Sequence, residues 1–204
     1  GTSQNASIEA EELKMKWGFV SGAYPYGYRT SASVAYGNVY ATLSQEVYCL
    51  DSVTGSKKWG YPLSVNHAES PTIANGKVFV WDTTGSFKAL DAQTSSLKWS
   101  KNLYGEHIDS SPAYANGIIY FGDHSASKNL SAYTENGTLI FSKITIATQG
   151  TPTIKEGKVY LCGSDDGTFA AYSSWTGSLL WSYKVADQGL LGSPAIEGNK
   201  SFVT

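Results

Sequence analysis

Charge is scarce in this sequence and nearly balanced. Lysine and arginine number 15 and the acids 17, a net charge of −2. A nucleic-acid footprint needs a basic stripe, and none is present. Long hydrophobic runs are also missing: no stretch approaches the ~18 apolar residues of a membrane span. The two cysteines, Cys49 and Cys162, lie far apart and make no disulfide framework. No 3.6-residue periodicity is visible, which excludes a helical solenoid.

Aromatic and small turn-forming residues dominate instead. Hydrophobic residues make up 41% of the 204 positions and aromatics 13%, enough for the core of one large all-β domain. Asn5, Asn129, Asn136 and Asn199 each open an N-x-S/T pattern, in keeping with an extracellular life. The first residue is Gly1, as expected of a mature or trimmed chain whose signal or anchor is not in view.

The chain repeats itself. Trp17, Trp59, Trp99, Phe141 and Trp181 recur at steps of 40 or 42 residues. A small residue, usually followed by proline, opens each unit: Ser31-Ala32, Ser70-Pro71, Ser111-Pro112, Thr151-Pro152 and Ser193-Pro194. A turn glycine keeps the same phase at Gly37, Gly76, Gly117, Gly157 and Gly198. Each unit reads as four short strands. Thr72-Ile73-Ala74 is a first strand, Asn75-Gly76 a hairpin turn requiring positive φ, and Val78-Phe79-Val80 a second strand. Phe87 to Leu90 is a third strand, and the fourth carries the tryptophan.

A four-stranded repeat of this length predicts a β-propeller. The expected repeats are 18–59, 60–99, 100–141, 142–181, and 182–204 plus 1–17. Joining Thr204 to Gly1 keeps the period at 40 residues, which predicts five blades with one closed by both termini, two strands from each; the alternative is a stretch of a longer propeller, in which the join is coincidence. Such a join removes open sheet edges. Leu13, Met15 and Trp17 alternate as a strand should.

The segment from Thr151 to Trp181 resembles the repeat of the PQQ-type (quinoprotein-like, tryptophan-docking) β-propellers. It carries Pro152, Gly157, Gly163, Ser164, Asp166, Gly167, Thr176, Gly177 and Trp181 in the family outline. The resemblance implies that Trp17, Trp59, Trp99 and Trp181, with Phe141 as a substitute, dock each blade on its neighbour. The Thr-Gly turn is lost at Thr94-Ser95. Quinone-dependent alcohol dehydrogenases of this superfamily carry adjacent cysteines and an acidic calcium set. Cys49 and Cys162 fall in different blades and cannot form that pair; they read as small core residues. No cofactor is expected.

In a propeller the loops joining the fourth strand to the first, and the second to the third, share one face. Those loops hold the candidate ligand or partner residues Tyr24, Tyr26, Tyr28, Arg29, His67, Glu69, Trp81, His107, Asp109, Gln149 and Gln188. Tyrosine, tryptophan and arginine anchor protein interfaces. The same aromatics, Trp81 among them, could stack on sugar faces beside hydrogen-bonding Glu69, Asp109 and Gln149. His67, His107 and His124 fall on this face beside carboxylates, a zinc alternative without a known zinc spacing. Glu69 and Asp109 could make a glycosidase pair. Asp165-Asp166-Gly167 is read as a hairpin turn, not a calcium site. The expectation is a non-catalytic binding or scaffold module, with protein partners first and carbohydrate as the alternative. A quinone-dependent dehydrogenase relative or glycoside hydrolase comes third. An extracellular, periplasmic or cell-surface location is expected.

Overall fold

A computed structural model describes residues 15–21, 30–43, 45–64, 69–82, 85–103, 110–124, 128–198 and 200–203. Among these there is no helix, and the strands form four four-stranded antiparallel sheets and one two-stranded sheet. Blade 1 is β1 (Ser33–Ala35), β2 (Asn38–Leu43), β3 (Glu46–Asp51) and β4 (Lys57–Pro62). Blade 2 is β5 (Thr72–Ala74), β6 (Lys77–Asp82), β7 (Ser86–Asp91) and β8 (Leu97–Asn102). Blade 3 is β9 (Ala113–Ala115), β10 (Ile118–Gly122), β11 (Asn129–Thr134) and β12 (Leu139–Ile144). Blade 4 is β13 (Thr153–Lys155), β14 (Lys158–Cys162), β15 (Thr168–Ser173) and β16 (Leu179–Lys184). The fifth sheet pairs β17 (Ala195–Glu197) with β18 (Lys200–Phe202).

Strand order follows chain order in every sheet, as in a propeller blade. The β1–β2, β5–β6, β9–β10 and β13–β14 hairpins turn through two residues with positive φ, such as Asn75 (45°) and Gly76 (70°). This backbone matches the twist of the flanking strands. In the fifth sheet the turn is shifted: Gly198 takes the first turn position, where Asn75 and Asn116 stand in their blades.

The repeat tryptophans are explained by one row of cross-strand pairs. Tyr40, Cys49 and Trp59 lie side by side in blade 1, and Phe79, Ala89 and Trp99 in blade 2. Tyr120, Ala132 and Phe141 follow in blade 3, and Tyr160, Ala171 and Trp181 in blade 4. A small residue on the third strand leaves room for two large rings, so Cys49 stands where the other blades use alanine. Both cysteines are buried and unpaired.

In blades 1 to 3 the ring pair, and Trp17 before them, reaches the next blade by a hydrogen bond. Trp17 Nε1 donates to the Ser52 carbonyl, Trp59 to Ala92 and Trp99 to Glu135, at 3.0–3.1 Å. Phe141 has no donor; there the Tyr120 hydroxyl donates to the Ser174 carbonyl at 3.1 Å. The ring lies over the glycine of the next blade's last turn. A Cβ on Gly177, at φ +69°, would stand 2.6 Å from the Phe141 ring. Blade 2 has Ser95 at this place and keeps the same turn with φ 62°. The core is accordingly interblade: Tyr40, Val47 and Cys49 pack on Val78, Val80 and Leu90 of the following blade.

A second seam runs along the inner strands. The Ser33 hydroxyl donates to the Pro71 carbonyl at 2.6 Å, and Thr72 and Thr153 donate in the same way to Pro112 and Pro194. Ser70 and Ser193 Oγ accept the backbone N–H of Ser31 and Thr151 at 2.7 and 2.8 Å. The Ser-Pro marker is thus an interblade latch.

One expectation needs adjustment. Met15 and Trp17 belong to no strand; Met15 is exposed, and the segment is held by the docked Trp17 indole. The strands expected from residues 1–14 lie outside the described residues.

Candidate functional site

The loops after the second strands and those entering the first strands meet on one face. Thr148 N–H donates to the Asp123 carbonyl at 3.2 Å, Ser164 N–H to Ala147 at 2.9 Å and Leu190 N–H to Gly163 at 2.8 Å. Backbone bonds therefore stitch the loops entering blade 4 and the fifth sheet to the neighbouring second-to-third turns. Gly189 has no room for a side chain, since a Cβ there would lie 1.7 Å from the Ser164 carbonyl oxygen.

A polar bridge between blades 3 and 4 stands on this face. Asp165 Oδ1 lies 3.0 Å from His124 Nε2, and its Oδ2 accepts from Lys128 Nζ at 2.7 Å. The Lys128 ammonium, ahead of His124, holds the Asp165 carboxyl below the ordinary aspartate range. The same contact raises the Lys128 ammonium. Asp166 behaves as the hairpin reading expects: it accepts the Thr168 N–H at 3.0 Å and the Thr168 hydroxyl at 2.7 Å. Asp123 is buried and accepts the Asn129 N–H at 2.9 Å. A second bridge ties blade 2 to blade 3, where Glu135 Oε2 accepts from Asn75 Nδ2 at 2.8 Å and from the Tyr114 hydroxyl at 3.0 Å. Lys77 Nζ adds an ion pair to Glu135 at 3.4 Å.

The sequence candidates divide. Tyr24, Tyr26, Tyr28, Arg29, His67, His107 and Asp109 lie outside the described residues. Glu69 and Gln149 are half-buried and Gln188 is exposed. Trp81 is a correction: it is 1% exposed, stacked on Phe87 at 4.0 Å and edge-on to Phe121 at 4.1 Å. The end of β6 faces blade 3 instead of the loop rim, so Trp81 is a core residue and no stacking platform. His124 is engaged by Asp165. Among the described residues no group of three or more His, Cys, Asp or Glu is arranged to hold a metal ion.

The sequence reading did not find the Asp165–Lys128 pair, because its members lie 37 residues apart. It also passed over the turn aspartates. Asp51 Oδ1 accepts the Val53 and Thr54 N–H groups, both at 2.9 Å, while its Oδ2 pairs with Lys58 at 3.0 Å. Asp91 repeats this with Gln93, Thr94 and Lys98. The signal was present as an aspartate three residues before each threonine of Thr54-Gly55 and Thr94-Ser95.

This architecture has known relatives. The model of a family described as outer membrane protein assembly factor BamB matches residues 11–126 and 101–204. The chain belongs to this family. It is a β-propeller built from PQQ-type repeats, as the Thr151–Trp181 outline implied. It is 24% identical over 194 residues to the outer membrane protein assembly factor BamB of Moranella endobia (strain PCIT), covering 86% of this chain and 49% of that one. It is 28% identical over 155 residues to the dehydrogenase subunit of a quinone alcohol dehydrogenase from Gluconobacter oxydans (strain 621H), covering 61% of this chain and 20% of that one. The chain therefore spans about half or less of the length of these curated relatives. The crystal structure of BamB from Moraxella catarrhalis superposes with a TM-score of 0.71 at 21% identity, over 84% of this chain and 56% of that one. The quinohemoprotein alcohol dehydrogenase from Comamonas testosteroni superposes at 0.74 with 16% identity, over 87% and 39%. At these identities the superpositions speak for the fold alone.

Proposed function

We propose that this chain is a non-catalytic protein-binding scaffold of the cell envelope. The carrying observation is the BamB family match, which reaches from residue 11 to residue 204. In the relatives bearing that name the role is outer membrane protein assembly. The interblade latches favour a rigid platform, and rigid scaffolds with loops on one face are a common way to present a binding surface. The proposal keeps five repeats, with 182–204 and 1–17 completing one blade. It keeps Tyr24, Tyr26, Tyr28, Arg29, Gln149 and Gln188 as loop contacts on the binding face. A periplasmic or cell-surface location is part of the proposal.

The described polar groups of the loop face support binding over chemistry. Asp165 is committed to a bridge between two blades, and Asp123 and Asp166 to turn bonds within their own blades. A general acid or base needs a free position within reach of substrate. The described residues also fit a quinone–calcium site poorly. They hold no acidic metal cluster, and Cys49 and Cys162 are buried in separate blades.

The test is crosslinked affinity capture from the envelope fraction of the cells that make the protein, beside a thermal-shift measurement with PQQ and calcium. The scaffold reading expects a recurrent protein partner and no shift. A saturable PQQ-dependent shift with no captured partner would overturn it; a ligand at 100 times its dissociation constant adds ~2.7 kcal/mol to folded-state stability.

A further inference from the structure

The outer strands of the four complete blades are not equivalent. β4 carries Lys57, Lys58 and Pro62, and β8 carries Lys98; Lys101 of β8 has its counterpart in Lys143 of β12 and does not distinguish them. An edge strand offers unpaired backbone N–H and C=O groups, and lysine or proline there discourages pairing with another chain. Lys58 and Lys98 are the extra residues of a bulge between the third and fourth strands, and each pairs with its turn aspartate at 3.0 Å. In blades 3 and 4 both members of that pair change together. Thr134 and Ile140 replace them in one blade, Ser173 and Leu180 in the other.

The result is two apolar edges on neighbouring blades that lack the ion pair at the bulge. Leu139, Ile140 and Ile144 on β12, and Leu179, Leu180 and Tyr183 on β16, are all exposed, Ile144 at 82% and Tyr183 at 66%. Each strand is the last of its sheet. Past the bulge, β12 and β16 pair regularly with β11 and β15, so their outward backbone groups come at regular strand spacing. Neither strand holds an acid, and Lys143 and Lys184 are their charged residues, Lys184 standing 3.6 Å from the exposed Asp187.

We propose that the outer edges of blades 3 and 4 dock an extended segment of a partner protein by strand addition. The segment alternates apolar residues with hydroxyl or acidic ones. Main-chain bonds to the edge give affinity, the apolar side chains cover the exposed leucines and isoleucines, and the carboxylates meet Lys143 or Lys184. This inference rests on the protein-binding reading and names the surface and the chemistry of the partner.

The probe is a ten-residue peptide alternating valine or tyrosine with threonine or glutamate. The comparison protein is the T134D/I140K/S173D/L180K variant. It installs in blades 3 and 4 the ion pair that blades 1 and 2 already carry, and its melting curve reports that it folds. Fluorescence anisotropy should show binding to the unmodified chain and at least a tenfold loss in the variant. Hydrogen exchange should slow in β12 or β16 when peptide binds, and replacing the peptide's glutamates by lysine should weaken it. Equal binding to both proteins, slowed exchange elsewhere, or no binding overturns the proposal. If the variant still captures the envelope partner, the edge proposal falls and the scaffold reading stands. If the unmodified chain captures none, the scaffold reading itself falls.

Discussion

The indole N–H of Trp99 in blade 2 donates to the backbone carbonyl of Glu135 in blade 3, 3.0 Å away. The ring also lies 2.9 Å from where a Cβ on Gly137 would stand. One side chain thus fixes both the distance and the tilt between two blades. Trp99→Ala should cost ~3–5 kcal/mol of stability, the usual range for a large core truncation. Trp99→Phe keeps an aromatic ring, as Phe141 does in blade 3, but loses the hydrogen bond and part of the ring volume, so it should cost less than alanine, ~1–3 kcal/mol. Urea unfolding of the two variants checks the order. An unmoved midpoint for Trp99→Ala would sink the docking account.

Ser95 holds a left-handed backbone, φ 62°, where blades 1, 3 and 4 place Gly55, Gly137 and Gly177. A non-glycine residue there costs ~1–2 kcal/mol. Ser95→Gly should recover about half of this or more, after the entropy glycine adds to the unfolded chain. Gly177→Ala should destabilise, because the added methyl meets both the backbone strain and the Phe141 ring. Chemical unfolding curves of opposite sign for the two variants are the expected result.

Much of this was legible in the sequence. Three markers in phase fixed the strands and the docking rings, because each marks a contact repeated at every blade seam. What was not legible is the direction in which strand ends face. Trp81 follows the alternation of β6 into the interface with Phe121, yet its place beside a loop reads equally well as rim. The His124–Asp165 bridge joins residues 41 apart whose loops meet only after the blades stack. The Lys58–Asp51 pair depends on a bulge that no composition signal announces.

Trp81→Ala should accordingly unfold the protein or cost several kcal/mol, in the ~3–5 kcal/mol range of buried aromatic truncations. Trp81→Phe should be tolerated. Thermal melts of both variants decide between core and rim, and a Trp81→Ala variant with an unchanged melt would restore the rim reading.

Acid should weaken the fold through the turn aspartates. The Asp51 carboxyl is held below its ordinary range first by the Thr54 N–H and then by Lys58, and that of Asp91 first by Lys98. A folded-state value below the unfolded one gives stability that is fully present above the unfolded value of ~3.9. It is lost as pH falls from there through the folded-state value. Asp51→Asn and Asp91→Asn should flatten the stability curve below about pH 4 and lower it at neutral pH. Urea midpoints measured across that range test the sign.

Burial raises both thiols, Cys162 to about 11. A thiol-reactive disulfide reagent should therefore titrate neither cysteine in the native protein and both after unfolding. Prompt reaction of one thiol under native conditions would contradict the buried placement of that residue. Cys49→Ala should fold normally, because alanine already stands at that place in the other three complete blades.

The most direct test of the protein-binding reading is photocrosslinking in the cells that make the protein, with a photoreactive residue at Gln188, at Leu180, or at Lys98. The account predicts a discrete protein adduct from the loop face at 188 or the bare edge at 180, and none from the lysine-guarded edge at 98. A chain that forms no protein adduct at 188 or 180 would contradict it.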